Sequence, residues 1–105
     1  MISQDQINQV VKTIVAGYSP QEIILFGSYA SGSPSKDSDI DLLVIKDDHL
    51  PKIERNRAVR CLLKDSSLPV DVIVKTRQEF DMLKDVIGTV VYSANKYGRV
   101  LYAKR

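Results

Sequence analysis

The stretch from Ile23 to Ile45 restricts most strongly what this chain can fold into. An apolar run ends at Gly27-Ser28, and a second apolar run follows Asp39 and Asp41, which are separated by one residue. Side chains two positions apart leave the same face of a β-strand. The stretch therefore predicts a short buried strand, a glycine turn, a polar loop and a second strand, Asp39–Ile45, that begins with paired carboxylates.

Helices and strands alternate through the rest of the chain, which favours an α+β fold with helices packed on a sheet. The loop between the first two strands is about a dozen residues, too short for a crossover helix. Those strands are therefore expected to be antiparallel neighbours in a mixed β-sheet of about four strands. The predicted strands cover residues 22–26, 39–45, 70–75 and, as a closing edge strand, 100–102. The first predicted helix starts at the capping box of Ser3 and stops near Gly17, and Pro51 opens the second. The third and longest predicted helix starts at the capping box of Thr76, tolerates Gly88 and is broken by Gly98.

Length and composition predict a single domain over residues 1–105. The 15 basic and 13 acidic residues give a net charge of +2, which is no indication of nucleic-acid binding. Because Cys61 is the only cysteine and no apolar run approaches the ~20 residues that span a bilayer, the reducing cytoplasm is the expected location. A single Cys and a single His, His49, also argue against a zinc cluster or a Cys/His catalytic pair.

The paired carboxylates of Asp39 and Asp41 predict a metal site. Two carboxylates held this close repel unless a cation neutralises them, and Mg²⁺ is held by one or two carboxylates together with substrate phosphates. Asp71 heads a similar apolar strand, so three carboxylates converge if that strand lies beside the second one. Such a set could hold two ions for an in-line displacement at phosphorus. The Gly27-Ser28 turn would present backbone N–H groups to the phosphates of a nucleotide.

Other phosphate or metal motifs each fail at a required residue. A phosphate-binding P-loop needs a lysine where Ser33 stands, and a calcium-binding EF-hand loop needs a glycine where Leu42 stands. A dinucleotide fingerprint needs three closely spaced glycines, which this turn lacks. A purely structural role is difficult for Asp41 and Asp71, since a carboxylate among apolar residues requires a partner.

These motifs resemble the nucleotidyltransferase superfamily that includes DNA polymerase β, and within it the minimal nucleotidyltransferase (MNT) group. The segments that carry the resemblance are GSYASG, SDIDLLV and VDVIV, and the resemblance extends over nearly the whole chain. It implies a single-domain nucleotidyltransferase fold and Mg²⁺-dependent transfer of a nucleotide, such as AMP from ATP, to a hydroxyl. By resemblance Asp39 and Asp41 bind metal, and Asp71 completes the site and acts as base. Ser31 stands where many members have an arginine, which removes a potential phosphate contact.

The resemblance also implies a partner, because MNT proteins are commonly paired as antitoxins with HEPN-domain toxins. In such a pair the antitoxin adds AMP to a tyrosine of the toxin. Two alternatives stay open at this point: a catalytically weak module that neutralises a partner by contact, and a small-molecule nucleotidyltransferase. The acceptor, the nucleotide and the formation of a homo-oligomer are equally open.

Overall fold

One mixed sheet with helices on both faces forms the framework of the computed structural model, which describes residues 1–104. The predicted α+β fold with a four-stranded mixed sheet is confirmed. Arg105, the last residue of the predicted domain, lies outside the described residues. In chain order the elements are α1 (Gln4–Tyr18), β1 (Glu22–Phe26), α2 (Ser28–Ser31), β2 (Ile40–Ile45), α3 (Lys52–Leu62), β3 (Val70–Lys75), α4 (Arg77–Leu83), α5 (Val90–Tyr97) and β4 (Arg99–Ala103).

The strand order is β3-β2-β1-β4. β1 pairs antiparallel with both β2 and β4, as expected from the short loop between the first two strands. β2 and β3 are parallel, and α3 makes the crossover that parallel strands require. The end of β1 therefore lies beside the beginning of β2, and the beginning of β3 lies on the other side of β2.

The two faces of β2 pack against different helices. Leu42 and Val44 contribute to a core with α1 and α3, whereas Leu43 and Ile45 contribute to a core with α4 and α5. All four side chains are fully buried. This explains why β2 reads as a continuous apolar run, since a strand covered on both faces has no solvent side. Within residues 1–104 no helix combines the length and the apolar character needed to cross a bilayer.

The first helix has the predicted start and a different end. Ser3 Oγ accepts a hydrogen bond from the Gln6 N–H at 3.2 Å, which confirms the capping box. Gly17 does not stop the helix, which continues through Tyr18 until Ser19 takes a left-handed conformation with φ 53°. A Cβ at Gly17 would lie 2.8 Å from Leu62 Cδ1, so this glycine makes room for α3. Its role is therefore packing.

The prediction of one long helix after Thr76 is wrong. The segment forms two helices, α4 and α5, and the longest helix is α1 with 15 residues. Gly88 adopts φ 95°, which an α-helix does not tolerate, and Thr89 accepts a hydrogen bond from the Tyr92 N–H as the N-cap of α5. The Thr89 hydroxyl also donates to the Leu83 carbonyl at 3.2 Å and holds the two helices together.

An ion pair that the sequence reading missed joins α3 to α4. The buried Arg55 donates to both carboxylate oxygens of Glu79, at 2.8 and 3.2 Å. Glu79 Oε1 also accepts from the Thr76 N–H, which completes the capping box predicted at that position. The hydrogen bonds from Arg55 are the main reason that the pKa of Glu79 falls from 4.5 to about 2.

This lowered pKa gives an expected acid sensitivity. Because the folded-state pKa lies below the unfolded value, the stabilisation is present above pH ~4.5 and is lost as the pH falls towards 2. Glu79→Gln should lower the free energy of unfolding at neutral pH by on the order of 2 kcal/mol and flatten its decline in acid. Urea unfolding at a series of pH values measures both effects, with the exposed Glu54→Gln on α3 as the matched control. Parallel pH profiles for wild type and Glu79→Gln would contradict the expectation.

Candidate active site

The turn after β1 is shaped by a glycine that stands against a carboxylate. Gly27 has φ 77° and ψ −155°, a conformation that side chains rarely allow. A Cβ at this position would lie 3.2 Å from Asp41 Cγ and would collide with the Asp41 carboxylate oxygen. Both the backbone angle and the close approach therefore require glycine, and the turn and the carboxylate form one unit.

Asp41 and Asp71 lie side by side on neighbouring strands. They are register partners in the parallel pair β2·β3, while Asp41 stands opposite Phe26 at the end of β1. Paired residues on parallel strands project to the same face, so the two carboxylates share one side of the sheet. Asp41 is half-buried and Asp71 is exposed.

Asp39 stands just outside this pair. It was predicted to be the first residue of the second strand, but β2 begins at Ile40, and Asp39 is exposed in the preceding loop. Among residues 1–104 no three Asp, Glu, His or Cys side chains come together as a preformed metal cage. The structure thus brings Asp41 and Asp71 together beside Gly27 and leaves Asp39 two residues away at the loop end.

The electrostatics of the site indicate unneutralised negative charge. The pKa of Asp41 is raised above its usual value, first by burial and then by the negative charges of Asp71 and Asp39. A cation placed among these groups would relieve both effects. Since Mg²⁺ takes one or two carboxylates and completes its shell with water and substrate phosphates, the Asp41–Asp71 pair with Asp39 nearby fits such an ion without a complete protein cage.

The turn between the strands is held by its own backbone. The Gly27 carbonyl accepts hydrogen bonds from the N–H groups of Ala30 and Ser31, both at 3.1 Å, and closes the single helical turn of α2. Ser31, at the position where arginine was expected by resemblance, donates its hydroxyl to the Ser28 carbonyl at 3.1 Å. Its side chain is therefore engaged within α2. The following loop, residues 33–38, is largely exposed.

Tyr29 anchors this turn, and the sequence reading had assigned it no role. Its hydroxyl accepts a hydrogen bond from the Ile2 N–H at 3.1 Å, and its ring packs on the core below α1. The sequence feature that could have indicated this role is the apolar Tyr29-Ala30 pair between two serines, which is typical of a short helix with one buried side. Tyr29 thus fixes α2, and with it the Gly27 turn, against the first helix.

A glycine turn lies against two in-register carboxylates at the end of the mixed sheet, and the fold is that of the nucleotidyltransferase class. The family model for the nucleotidyltransferase domain matches residues 5–95. The chain belongs to this family of enzymes.

The chain is similar to several proteins of this family. The chain is 30% identical over 99 residues to protein adenylyltransferase MntA of Thermococcus cleftensis, a match that covers 88% of this chain and 97% of that protein. A Sulfolobus solfataricus protein assigned as a nucleotidyltransferase superposes with a TM-score of 0.66 at 21% identity, over 93% of this chain and 78% of that one. A crystal structure of a toxin–antitoxin with AMP-PNP matches with a TM-score of 0.65 at 25% identity, over 93% and 73%.

Proposed function

We propose that this protein is an antitoxin that transfers AMP from ATP to a hydroxyl of a HEPN-domain partner in a Mg²⁺-dependent reaction. The observation that carries the proposal is the Asp41–Asp71 pair beside the Gly27 turn. The relative MntA, a protein adenylyltransferase, supports AMP transfer to protein, and the toxin–antitoxin structure with AMP-PNP supports both the nucleotide and the kind of partner. The exposed single thiol, Cys61, suits a reducing cytoplasm.

The roles of the residues follow from their positions. Mg²⁺, held by Asp39, Asp41 and Asp71, would neutralise charge on the triphosphate, and the sequence predicts room for two ions. The backbone N–H groups at Gly27-Ser28 would bind phosphate oxygens. Asp41 is half-buried at the back of the site, whereas Asp71 is exposed on the outer strand β3. Of the two paired carboxylates, Asp71 is therefore the one that an incoming acceptor can reach.

The transfer is a displacement at the α-phosphorus of ATP. The acceptor hydroxyl oxygen forms a bond to that phosphorus as the bond to the β-phosphate oxygen breaks, and pyrophosphate leaves. The hydroxyl proton passes to the Asp71 carboxylate as the new bond forms. The products are the AMP-modified acceptor and pyrophosphate, so the atoms and charges balance.

A macromolecular acceptor suits the position of the site. The carboxylates lie at the sheet end beside an outer strand and an exposed loop, where a folded partner can approach. Holding the acceptor in place contributes up to ~7–11 kcal/mol to catalysis, and docking of a protein supplies that contribution. The isolated chain should therefore modify free small molecules poorly.

The proposal is tested by incubation with labelled ATP and Mg²⁺, with and without a HEPN-domain protein as candidate partner. Label should appear on the partner, should vanish with a chelator, and should fall at least ~100-fold with Asp39→Ala. Asp37→Ala, an exposed aspartate two residues away, is the matched control.

Two results would contradict this function. Neutralisation of the partner that persists unchanged in Asp39→Ala would identify a module that acts by contact. Rapid labelling of small hydroxyl compounds by the isolated chain would identify a small-molecule transferase.

A further inference from the structure

The sheet has two outer strands that differ in how their edges are covered. At β3, the Asn56 side chain accepts a hydrogen bond from the Val74 N–H at 3.0 Å, so α3 covers that edge. At β4, the outer edge lies beside a groove of about 650 Å³ that β4 forms with α1. Two residues of β4, Leu101 and Tyr102, line this groove and are only half-buried.

The groove has an apolar floor and a charged rim. Val11, Val15 and Leu101 contribute the floor, and the exposed Asp5 and Lys12 stand on the rim. In the part of the chain that the structure describes, neither of these two charges takes part in an ion pair. An apolar strip inside a charged rim has the arrangement of a protein contact surface, in which polar groups surround an apolar centre.

The order of the charges makes this surface complementary to itself. Asp5 and Lys12 are seven residues apart, so they lie on one face of α1 about 10.5 Å from each other. Asn8 and Gln9, which also line the groove, stand midway between them. If a second copy of α1 is laid antiparallel about that midpoint, each Asp5 meets the Lys12 of the other copy, and each Asn8 meets a Gln9. A two-fold axis requires this reciprocal pairing.

The outer edge of β4 lies at the margin of the surface that α1 presents, and the centre of that surface is the helix face. β4 runs in the same direction as α1, since Arg99 reaches Gln4 at 3.3 Å and the Lys104 N–H donates to the Gln21 carbonyl at 2.8 Å. The pairing of β4 with β1 skips Leu101, which forms a bulge. Because a bulge hinders edge-to-edge pairing, the helix face must make most of the contact.

We propose that two copies of this chain associate about a two-fold axis through the exposed face of α1, with Asp5 of each copy paired to Lys12 of the other. Leu101 and Tyr102 close the apolar part of the interface. The carboxylates of the active site lie at β2 and β3, outside the contact, so association leaves them accessible. This inference does not depend on the proposed AMP transfer.

A charge exchange tests the inference directly. Sedimentation equilibrium of the wild-type chain should show dimers that weaken with salt. Asp5→Lys and Lys12→Asp should each weaken association at least ~10-fold, because each places like charges opposite one another twice. Mixing the two variants should restore association as a heterodimer, and the double variant should dimerise alone.

The control is Lys64→Asp, which makes the same change of charge at an exposed lysine outside the proposed interface. This variant should dimerise like the wild type. Helix content measured by circular dichroism shows whether Asp5→Lys disturbs the first turn of α1. A wild-type chain that stays monomeric at every concentration would overturn the inference, and so would a mixture of variants that fails to recover. Binding of a different protein to this face by a monomeric chain would also overturn it.

Discussion

Asp41→Asn is expected to abolish nucleotidyl transfer and leave the fold intact. The neutral amide cannot replace the carboxylate that would hold the metal and the triphosphate, and several kcal/mol of charge stabilisation correspond to a roughly thousand-fold lower rate. In the metal-free protein the same change removes a half-buried negative charge that Asp71 and Asp39 repel. The melting temperature without metal should therefore be unchanged or higher.

Activity assays and thermal melts of the same preparation separate the two effects. Asp65→Asn, at an exposed position away from the site, is the matched control and should alter neither. A large fall in melting temperature for Asp41→Asn would show that the carboxylate has a structural role. Full activity would remove Asp41 from the proposed site.

Leu25→Ala is expected to cost roughly 2–5 kcal/mol of the free energy of unfolding. Leu25, the fourth residue of β1, is fully buried and lies between Leu42 of β2 and Arg99 of β4 in the sheet register. Truncation leaves a cavity in the core that α1 and α3 share with the sheet. Because small domains are stable by only about 5–15 kcal/mol, the variant should be close to unfolding at moderate temperature.

Urea unfolding of Leu25→Ala against Val100→Ala measures this cost. Val100 lies on β4 next to the same strand but is 57% exposed, so its truncation should change the free energy of unfolding by less than ~0.5 kcal/mol. An equal loss of unfolding free energy in the two variants would contradict the expectation, which is based on the difference in burial between Leu25 and Val100.

Local chemistry made most of the fold predictable from the sequence. The capping boxes at Ser3 and Thr76 mark helix starts because their side chains satisfy backbone donors within one turn. β1 and β3 were predicted with their observed limits, since both apolar runs are bounded by turn residues. The errors in the helix limits came from glycines. Gly17 and Gly88 look alike in sequence, yet one provides space for Leu62 inside a helix and the other has a positive φ that separates two helices.

The sequence predicted which residues belong to the candidate site, but only part of their spatial arrangement. The spacing of Asp39 and Asp41 and the glycine turn pointed to phosphate and metal chemistry, and the family is confirmed. The assignment of these residues and Asp71 as metal ligands stays a prediction. The Arg55–Glu79 pair was missed because its partners are 24 residues apart, and the capping box that contains Glu79 gives no information about Arg55.

The sequence by itself determined the elements that depend on neighbouring residues: the helix caps, the buried strands, the glycine turn and the two aspartates separated by one residue. Only the tertiary structure decided which distant groups meet. The parallel pairing of β2 with β3 places Asp71 beside Asp41, and the antiparallel pairing with β1 brings Gly27 against the same carboxylate. The physical reason is that strand register depends on how the whole core packs, because a shift by one residue would turn every buried side chain to the other face.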